Sequence, residues 1–267
     1  VIDAGVRARG GLEAGRLVAE VCMGGLGKVS VTLGDLEGKI IPYVTVSTDN
    51  PPIACMASQY AGWSIRVGKY FAMGSGPARA LSQKPKHLFD ELNYADESSE
   101  TVIVLESLEL PSEEVVEYLC NSTGVSPEGL YMIVTPTRSI SGSVQISARI
   151  VETGIHKMHT LGLPLNSFVS GIGRAPVAPG HPRFVEAMGR TNDAQLYMGE
   201  AYYYISYENF YKLKEIVEKT PSLNSPSYGK PFSKIFEEAG GDFYKIDLGL
   251  FAPAKIAVVH VETGATI

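Results

Sequence analysis

The sequence lacks long apolar runs. No stretch reaches the roughly 18–20 consecutive apolar residues that a membrane-spanning helix needs, although 45% of the 267 residues are hydrophobic. This predicts a soluble protein without a membrane partner. A chain of this length and composition can bury one large core or two smaller ones.

Cysteine and basic charge are also scarce. The three cysteines, Cys22, Cys55 and Cys120, are far apart, and no two have the spacing of a zinc or redox site. Free thiols in a reducing compartment are the favoured interpretation, so we expect a cytoplasmic protein. The net charge is −6 and the basic residues are scattered, which argues against nucleic acid as a partner, because phosphate neutralisation needs a basic face. A small anionic ligand, which needs only a few local cations or amides, remains open.

Strand-like and helix-like patterns alternate along the whole chain. This alternation predicts an α/β or mixed α+β fold, and the length favours two α/β-type domains. Predicted strands cover residues 29–33, 39–47, 101–105, 130–134 and 254–261, and predicted helices cover residues 51–60, 112–124, 141–161, 208–219 and 230–239. Residues 171–182 and 221–230 are rich in glycine and proline and are interpreted as linkers or as loops at a site. No domain boundary is predicted, because the chain can cross between the two parts more than once.

Residues 141–161 hold the most informative pattern. At about 100° per residue, one side of the predicted helix is apolar and another side carries a narrow polar stripe. The apolar side consists of Val144, Ala148, Val151, Ile155 and Met158, and the stripe consists of Gln145, Arg149, Glu152 and His156. Ile146 and Ile150 border the stripe. A polar strip between apolar edges is typical of a helix that lines a cleft.

Arg149 and Glu152 stand three residues apart on this stripe, so their side chains can touch. Two interpretations stay open. A solvated ion pair would contribute only a few tenths of a kcal/mol. If the pair is partly buried, the arginine favours the ionised carboxylate while desolvation opposes it. Opposed effects of this kind make the carboxylate a candidate acid or base.

His156 and His159 lie on adjacent turns, as two ligands of one metal ion can do. No third ligand of suitable spacing accompanies them, and the sequence HKMH is not a zinc signature. We therefore predict no metal site, and a structural or solvent-exposed role is favoured for both histidines.

Residues 73–79 (MGSGPAR) form a glycine-rich turn ahead of a possible helix start. Backbone N–H groups at Gly74, Ser75 and Gly76 would suit an anion, and Arg79 would add positive charge. The motif lacks the Walker lysine and the dinucleotide spacing, which weighs against a nucleotide-dependent dehydrogenase. A tight turn without a ligand is the alternative.

Residues 188–197 (MGRTNDAQLY) place Arg190, Thr191, Asn192 and Asp193 together, between a helical stretch and a predicted strand. Four adjacent polar side chains of different types suit recognition of a ring with several donors and acceptors. Turn and capping chemistry explains the same residues equally well.

Two further segments place lysines beside aromatic residues. They are residues 228–232 (YGKPF), with Lys230, and residues 242–247 (DFYKID), with Lys245. A stacked ring with an anionic tail could use such side chains, and ordinary amphipathic packing is the alternative.

Several segments together resemble one family. VCMGGL at 21–26, YFAMGSGPARAL at 70–81, GSVQISARIVETG at 142–154, GRTND at 189–193, YGKPF at 228–232 and DFYKID with FAPA at 242–254 are similar to the methenyltetrahydromethanopterin cyclohydrolases. They occur in the family's order and span nearly the whole chain. Two departures are TDNP at 48–51 in place of a more usual TDHP, and MGE at 198–200 in place of a glycine-rich end; both bear on the substrate variant.

The resemblance implies a fold and a reaction. Members hydrolyse the methenyl bridge of 5,10-methenyltetrahydromethanopterin reversibly to the 5-formyl form in one-carbon metabolism, without a metal or redox cofactor. Tetrahydromethanopterin is the carrier of the substrate. It implies two α/β domains around a deep cleft, a homotrimer, and the absence here of the N-terminal and C-terminal ends of a typical member. A non-catalytic pterin- or anion-binding protein of the same fold is the alternative.

The resemblance also implies site residues. The family's catalytic glutamate and the arginine one turn before it match Glu152 and Arg149. Residues expected to bind the pterin or its anionic tail are Gly74, Ser75, Gly76, Arg79, Ser143, Gln145, Arg190, Thr191, Asn192, Asp193, Lys230 and Lys245.

Overall fold

The strands of the protein fall into two sheets in the computed structural model, which describes residues 1–242 and 245–267. The described strands are β1 Ile2–Asp3, β2 Lys28–Leu36, β3 Lys39–Thr48, β4 Trp63–Val67, β5 Tyr70–Ser75, β6 Thr101–Glu106, β7 Leu130–Val134, β8 Phe168–Pro176, β9 Glu200–Ile205 and β10 Lys255–His260. Within these residues each sheet has five strands, in the orders β1-β7-β6-β5-β4 and β10-β9-β8-β3-β2. The predicted mixed α/β class is confirmed.

Helices connect and cover these sheets. The described α-helices are α1 Leu12–Cys22, α2 Ala78–Ser82, α3 Lys86–Leu92, α4 Glu113–Thr123, α5 Ile140–Ser147, α6 Ile150–Thr160, α7 Phe184–Met198, α8 Phe210–Lys219 and α9 Phe232–Glu238. Pro52–Gln59 is a π-helix that begins with prolines, whose missing N–H groups cost nothing in a first turn. Over the described ranges, no helix combines the length and the apolar character that crossing a bilayer requires.

Strands β6 and β7 of the first sheet are largely buried on both faces. Strands β1, β7 and β6 run parallel, while β5 and β4 are antiparallel to their neighbours. Val104 and Ile133 pack with Val18 of α1 on one face, and on the other face Ile103, Leu105 and Met132 join Val115 and Leu119 of α4 in a second cluster. Burial on both faces explains the apolar runs of β6 and β7, because parallel strands between helices need apolar residues on each side.

The second sheet is buried on one face only. Along β8, Gly171, Gly173 and Ala175 are buried, whereas Ile172 and Arg174 between them are exposed. The buried face packs against α6 and the π-helix. The two glycines allow this close approach, since a Cβ at Gly171 would lie 2.9 Å from Val151 and one at Gly173 would lie 2.7 Å from Ile150.

Three local predictions are wrong. Residues 141–161 do not form one helix, because the chain breaks between α5 and α6 at Ala148 and Arg149. Residues 171–182 are only partly a linker or loop, since β8 extends to Pro176 and the glycines of β8 allow α6 to pack closely on the strand. Residues 188–197 are not a junction but lie wholly inside α7. There Thr191 and Asn192 donate to the carbonyl of Met188 in their own helix, so their polarity is satisfied without a turn.

Candidate functional site

The break between α5 and α6 presents backbone carbonyls to side chains from other elements. The carbonyl oxygen of Ala148 accepts a hydrogen bond from Gln59 Nε2 at 3.0 Å. The carbonyl oxygen of Ile146 accepts from the backbone N–H of Arg149 at 3.0 Å and from Gln195 Nε2 at 2.9 Å. Carbonyls at a helix end need such partners when they are buried. The break is therefore stabilised by two glutamines, one on the π-helix and one on α7.

Arg149 occupies this break and makes hydrogen bonds to three elements. Its Nη1 donates to the carbonyl oxygen of Gln59 at 2.5 Å, and its Nη2 donates to Ser75 Oγ at 3.2 Å and to Gln145 Oε1 at 3.3 Å. Ser75 ends β5 of the first sheet and Gln145 lies on α5. The guanidinium thus joins the first sheet to the helices that cover the second sheet.

Glu152 lies in the first turn of α6, with an Oε2 atom 3.8 Å from Arg149 Nη1. The residue is only 6% exposed. Burial raises the pKa of Glu152 from its ordinary value of 4.5 to about 7, against the opposing effects of the Arg149 and Arg79 cations. Near neutral pH this carboxyl therefore exchanges readily between its two forms, as a general base or acid must. The structure brings together Ser75, Gln145, Arg149 and Glu152 of the predicted site.

Two hydrogen-bonding atoms around Arg149 have no partner among the described residues: Gln59 Oε1 and Gln145 Nε2. The orientation of both amides is fixed by their partners. If the Gln145 amide were turned over, its NH₂ group would face the donor Nη2 of Arg149. If the Gln59 amide were turned over, its oxygen would face the carbonyl oxygen of Ala148. Each buried unmet group costs about 1–3 kcal/mol. Such groups are rare in folded proteins and call for a reason, which a site for a polar ligand would supply.

Arg79 lies in the interior rather than at a surface loop. Its Nη1 donates to the carbonyl oxygens of Met56, Ala57 and Ser58, and its Nε donates to that of Lys84. The side chain thus caps the last carbonyls of the π-helix, where a cation is favoured. Burial lowers the pKa of Arg79 to about 10. These contacts hold the segment that presents Gln59 to Arg149, and the predicted anion contact of Arg79 stays a prediction.

Gly74, Gly76 and Ser143 have roles in packing. A Cβ at Gly74 would lie 2.9 Å from Ile65, and Gly76 has a φ of +101°, a conformation that favours glycine. Ser143 Oγ donates to the carbonyl oxygen of Ala178 at 2.6 Å, which fastens α5 to the segment after β8. Their predicted ligand contacts stay predictions.

The predicted residues of α7 make local contacts. Arg190 is exposed and its Nη1 lies 3.4 Å from the carbonyl oxygen of Gly180. Asp193 accepts from the backbone N–H of Phe232 at 2.9 Å, and burial raises the pKa of its carboxyl. The Asp193 bond fixes α7 against the start of α9, whereas Thr191 and Asn192 bond to Met188 within α7 itself. In this arrangement the structure does not join these four residues to Arg149 by any described hydrogen bond.

The two predicted lysines are exposed. Lys230 pairs with Glu238 at 2.8 Å, and Lys245 lies at the surface. The aromatic residues Phe243 and Tyr244 of the segment 242–247 lie outside the described residues. The binding roles of both lysines stay predictions.

Gln59, Thr153 and Gln195 belong to this site and were missed by sequence reasoning. Gln195 could have been found, because it follows Thr191 by one helical turn and both are buried on one face of α7. Gln59 gives no such signal, since its partner Ala148 lies 89 residues away along the chain.

The two histidines of α6 have separate partners. His156 stacks on Tyr60, with ring centroids 5.2 Å apart, and burial lowers its pKa. His159 Nε2 lies 2.9 Å from a carboxylate oxygen of Glu91. Within the described ranges, no group of three or more histidine, cysteine or acidic residues is placed to hold a metal ion.

Comparison with known proteins gives a consistent result over the whole chain. A family profile described as "Cyclohydrolase (MCH)" matches residues 1–267. Among similar proteins, the methenyltetrahydromethanopterin cyclohydrolase of Methanococcoides burtonii is 50% identical over 98% of this chain and 82% of its own length. The proteins of the same name from Methanosarcina barkeri and Methylobacillus flagellatus are 50% and 46% identical, over 84% and 80% of their lengths. The chain therefore belongs to the cyclohydrolase family.

Proposed function

We propose that the protein hydrolyses the methenyl bridge of 5,10-methenyltetrahydromethanopterin reversibly to 5-formyltetrahydromethanopterin, as an enzyme of one-carbon metabolism. The names of its relatives support this reaction. The observation that carries the mechanism is the buried Glu152, whose pKa is raised to about 7 beside the Arg149 guanidinium.

The reaction needs a base rather than an external electrophile. The bridging carbon lies between two nitrogens and shares their positive charge, so it already accepts a nucleophile. Water forms a new C–O bond to this carbon, and Glu152 takes the proton that the water loses. The proton then passes to the departing nitrogen as its C–N bond breaks. The added hydroxyl loses its own proton to solvent as it becomes the C=O of the formyl group on the other nitrogen, so the cationic substrate gives a neutral product and one released proton. No electron is transferred, and we propose that neither a metal nor a redox cofactor takes part.

Arg149 has an electrostatic role in this scheme. Its guanidinium, held by Gln59, Ser75 and Gln145, keeps Glu152 ionised in part despite burial. The cationic substrate favours the carboxylate further when it is bound, since an opposite charge nearby lowers a carboxyl pKa. A base with a pKa near the working pH is the most effective.

Further parts of the proposal concern the ligand and the assembly. The pterin or its anionic tail contacts residues of the predicted binding set. The unpaired Gln59 Oε1 and Gln145 Nε2 offer the ligand a further hydrogen-bond acceptor and donor. We also propose a cytoplasmic homotrimer. The association of subunits is supported by the exposed face of the second sheet, on which Ile172 and Tyr204 remain 45% and 44% exposed, because exposed apolar patches mark interaction sites.

The experiment is an ultraviolet assay of methenyltetrahydromethanopterin hydrolysis by the parent, by Glu152→Gln and by Glu114→Gln. Glu114 is an exposed glutamate in the first turn of α4 and serves as the matched control. We expect Glu152→Gln to lose about 10²–10⁴-fold in kcat with an unchanged fold by circular dichroism. A Glu152→Gln rate within a few-fold of the parent would remove this carboxylate from the mechanism. Ligand binding without turnover by the folded parent would favour a non-catalytic binding protein.

A further inference from the structure

Gln195 bridges the two helices on either side of the break that holds Arg149. Its Nε2 donates to the carbonyl oxygen of Ile146 at 2.9 Å, and its Oε1 accepts from Thr153 Oγ1 at 2.9 Å. Ile146 belongs to the last turn of α5 and Thr153 to the first turn of α6. One side chain of α7 thus connects both ends of the interrupted helix.

The orientation of the Gln195 side-chain amide is fixed by its hydrogen-bond partners. The carbonyl of Ile146 can only accept, so the NH₂ group of Gln195 must face it and the amide oxygen must face Thr153. The carbonyl oxygen of Arg149 also lies 2.9 Å from this hydroxyl, so the single hydroxyl hydrogen of Thr153 is shared between two acceptors, Gln195 Oε1 and the Arg149 carbonyl. Thr153 therefore connects Gln195 to the backbone of Arg149 and is the chain neighbour of Glu152.

The bridge is buried and has a counterpart on another element. Gln195 is 6% exposed, so its hydrogen bonds are not exchanged with water. Gln59 Nε2 of the π-helix binds the adjacent carbonyl of Ala148. The break is thus held by two independent amides, but only Gln195 is described with a contact to each of the two helices.

We propose that Gln195 and Thr153 form a clamp that sets Arg149 and Glu152 at their working separation, which makes Gln195 a positioning residue for the proposed reaction. The clamp acts through the backbone of α5 and α6 and does not touch the substrate. This inference rests on the proposed function for its kinetic consequences and on the hydrogen bonds above for its geometry.

Loss of the clamp frees α6 to shift against Arg149. The described ionisable groups that act on Glu152 or respond to it are Arg149 at the break, Arg79 on α2, Cys55 on the π-helix and Tyr203 on β9. Cys55 and Tyr203 are kept neutral because burial raises the pKa of each well above its ordinary value. Moving Glu152 away from the two arginines therefore weakens the influences that favour its carboxylate, and the pKa of Glu152 rises.

The test compares Thr153→Val, which removes the hydroxyl at constant shape, with Thr153→Ser, which keeps it, and with Gln195→Met. Thr160→Val is the matched control, since the Thr160 hydroxyl donates within its own helix, to the carbonyl of Lys157. The readouts are kcat and KM across pH, the melting temperature, and titration of the Glu152 carboxyl by ¹³C NMR, assigned by its absence in Glu152→Gln.

We expect Thr153→Val and Gln195→Met to lower kcat about tenfold, as sub-ångström misplacement of reacting groups does, with KM within twofold of the parent. The Glu152 titration and the acid limb of the kcat profile should move to higher pH, and Thr153→Ser and Thr160→Val should behave like the parent.

Parent-like kcat and titration in Thr153→Val and Gln195→Met, with only a lower melting temperature, would overturn the clamp. Failure of Thr153→Ser to restore the parent values would do the same. If the parent shows no turnover, the proposed function fails, while the NMR titration still decides the clamp.

Discussion

Arg149–Glu152 and Arg183–Glu186 are one sequence pattern in two surroundings. Both read Arg, apolar, valine, Glu, and in both the arginine immediately precedes the helix while the glutamate is its third residue. The exposed pair at the start of α7 is shorter, at 3.0 Å against 3.8 Å. Its side chains are 75% and 35% exposed, whereas those of Arg149 and Glu152 are 11% and 9% exposed.

The N–O distance alone does not show which of the two pairs interacts more strongly. Water and salt screen the Arg183–Glu186 attraction, so the shorter contact contributes little. Arg149 and Glu152 are largely removed from water, so each small displacement changes the free energy of the charged forms. The buried pair therefore has a perturbed carboxyl and candidate chemistry, and the exposed pair is a helix-end contact.

The largest expected effect is the loss of activity when Arg149 is replaced, compared with the replacement of Arg183. Arg149→Met leaves a buried carboxyl without its nearer cation, so the acid limb of kcat should move to higher pH and the rate at pH 7 should fall about 10²-fold. Arg183→Met should stay within twofold of the parent. The hydrolysis assay across pH 5–9 measures both. Equal rates for the two variants would contradict the distinction between the pairs.

The next effect concerns stability and pH. The Glu152 carboxyl has a folded pKa of about 7 against an ordinary 4.5, so the folded protein retains a proton that the unfolded chain releases. Stability therefore decreases as the pH rises through that window, by on the order of 3 kcal/mol at completion. Glu152→Gln lacks this loss and should be more stable than the parent at pH 8 but not at pH 4.

Urea unfolding at the two pH values measures this difference, with Glu186→Gln as the control, which should follow the parent at both. A Glu152→Gln variant with no gain at pH 8 would show that the carboxylate is well stabilised in the fold.

The smallest effect is the coupling within the exposed pair. A double-mutant cycle on Arg183 and Glu186 should give about 0.2–1 kcal/mol, decreasing between 0.05 and about 0.5 M salt because the Debye length shortens. Chemical denaturation of the four proteins supplies the cycle. Coupling above about 2 kcal/mol that is independent of salt would place this pair in the same class as Arg149–Glu152.

Local elements were predictable where their pattern is unambiguous. The strand–helix–strand passage at 101–134 is confirmed as β6, α4 and β7, because apolar runs and a serine followed by two glutamates are strong signals. The break at Ala148 was not predictable. It preserves the apolar side of the helix, so the periodicity continues, and the glutamines that stabilise it are 89 and 49 residues away.

The sequence by itself determined that Arg149 and Glu152 share a helical face beside apolar residues, since spacing fixes direction within a turn. It also determined the family through segments spread over the whole chain. Only the tertiary structure decided that this pair is buried while Arg183–Glu186 is not. Burial depends on Gly171 and Gly173 of β8 admitting α6, and on the π-helix and β5 closing over Arg149. Contacts between distant segments set the desolvation of Glu152, and no local pattern of four residues contains them.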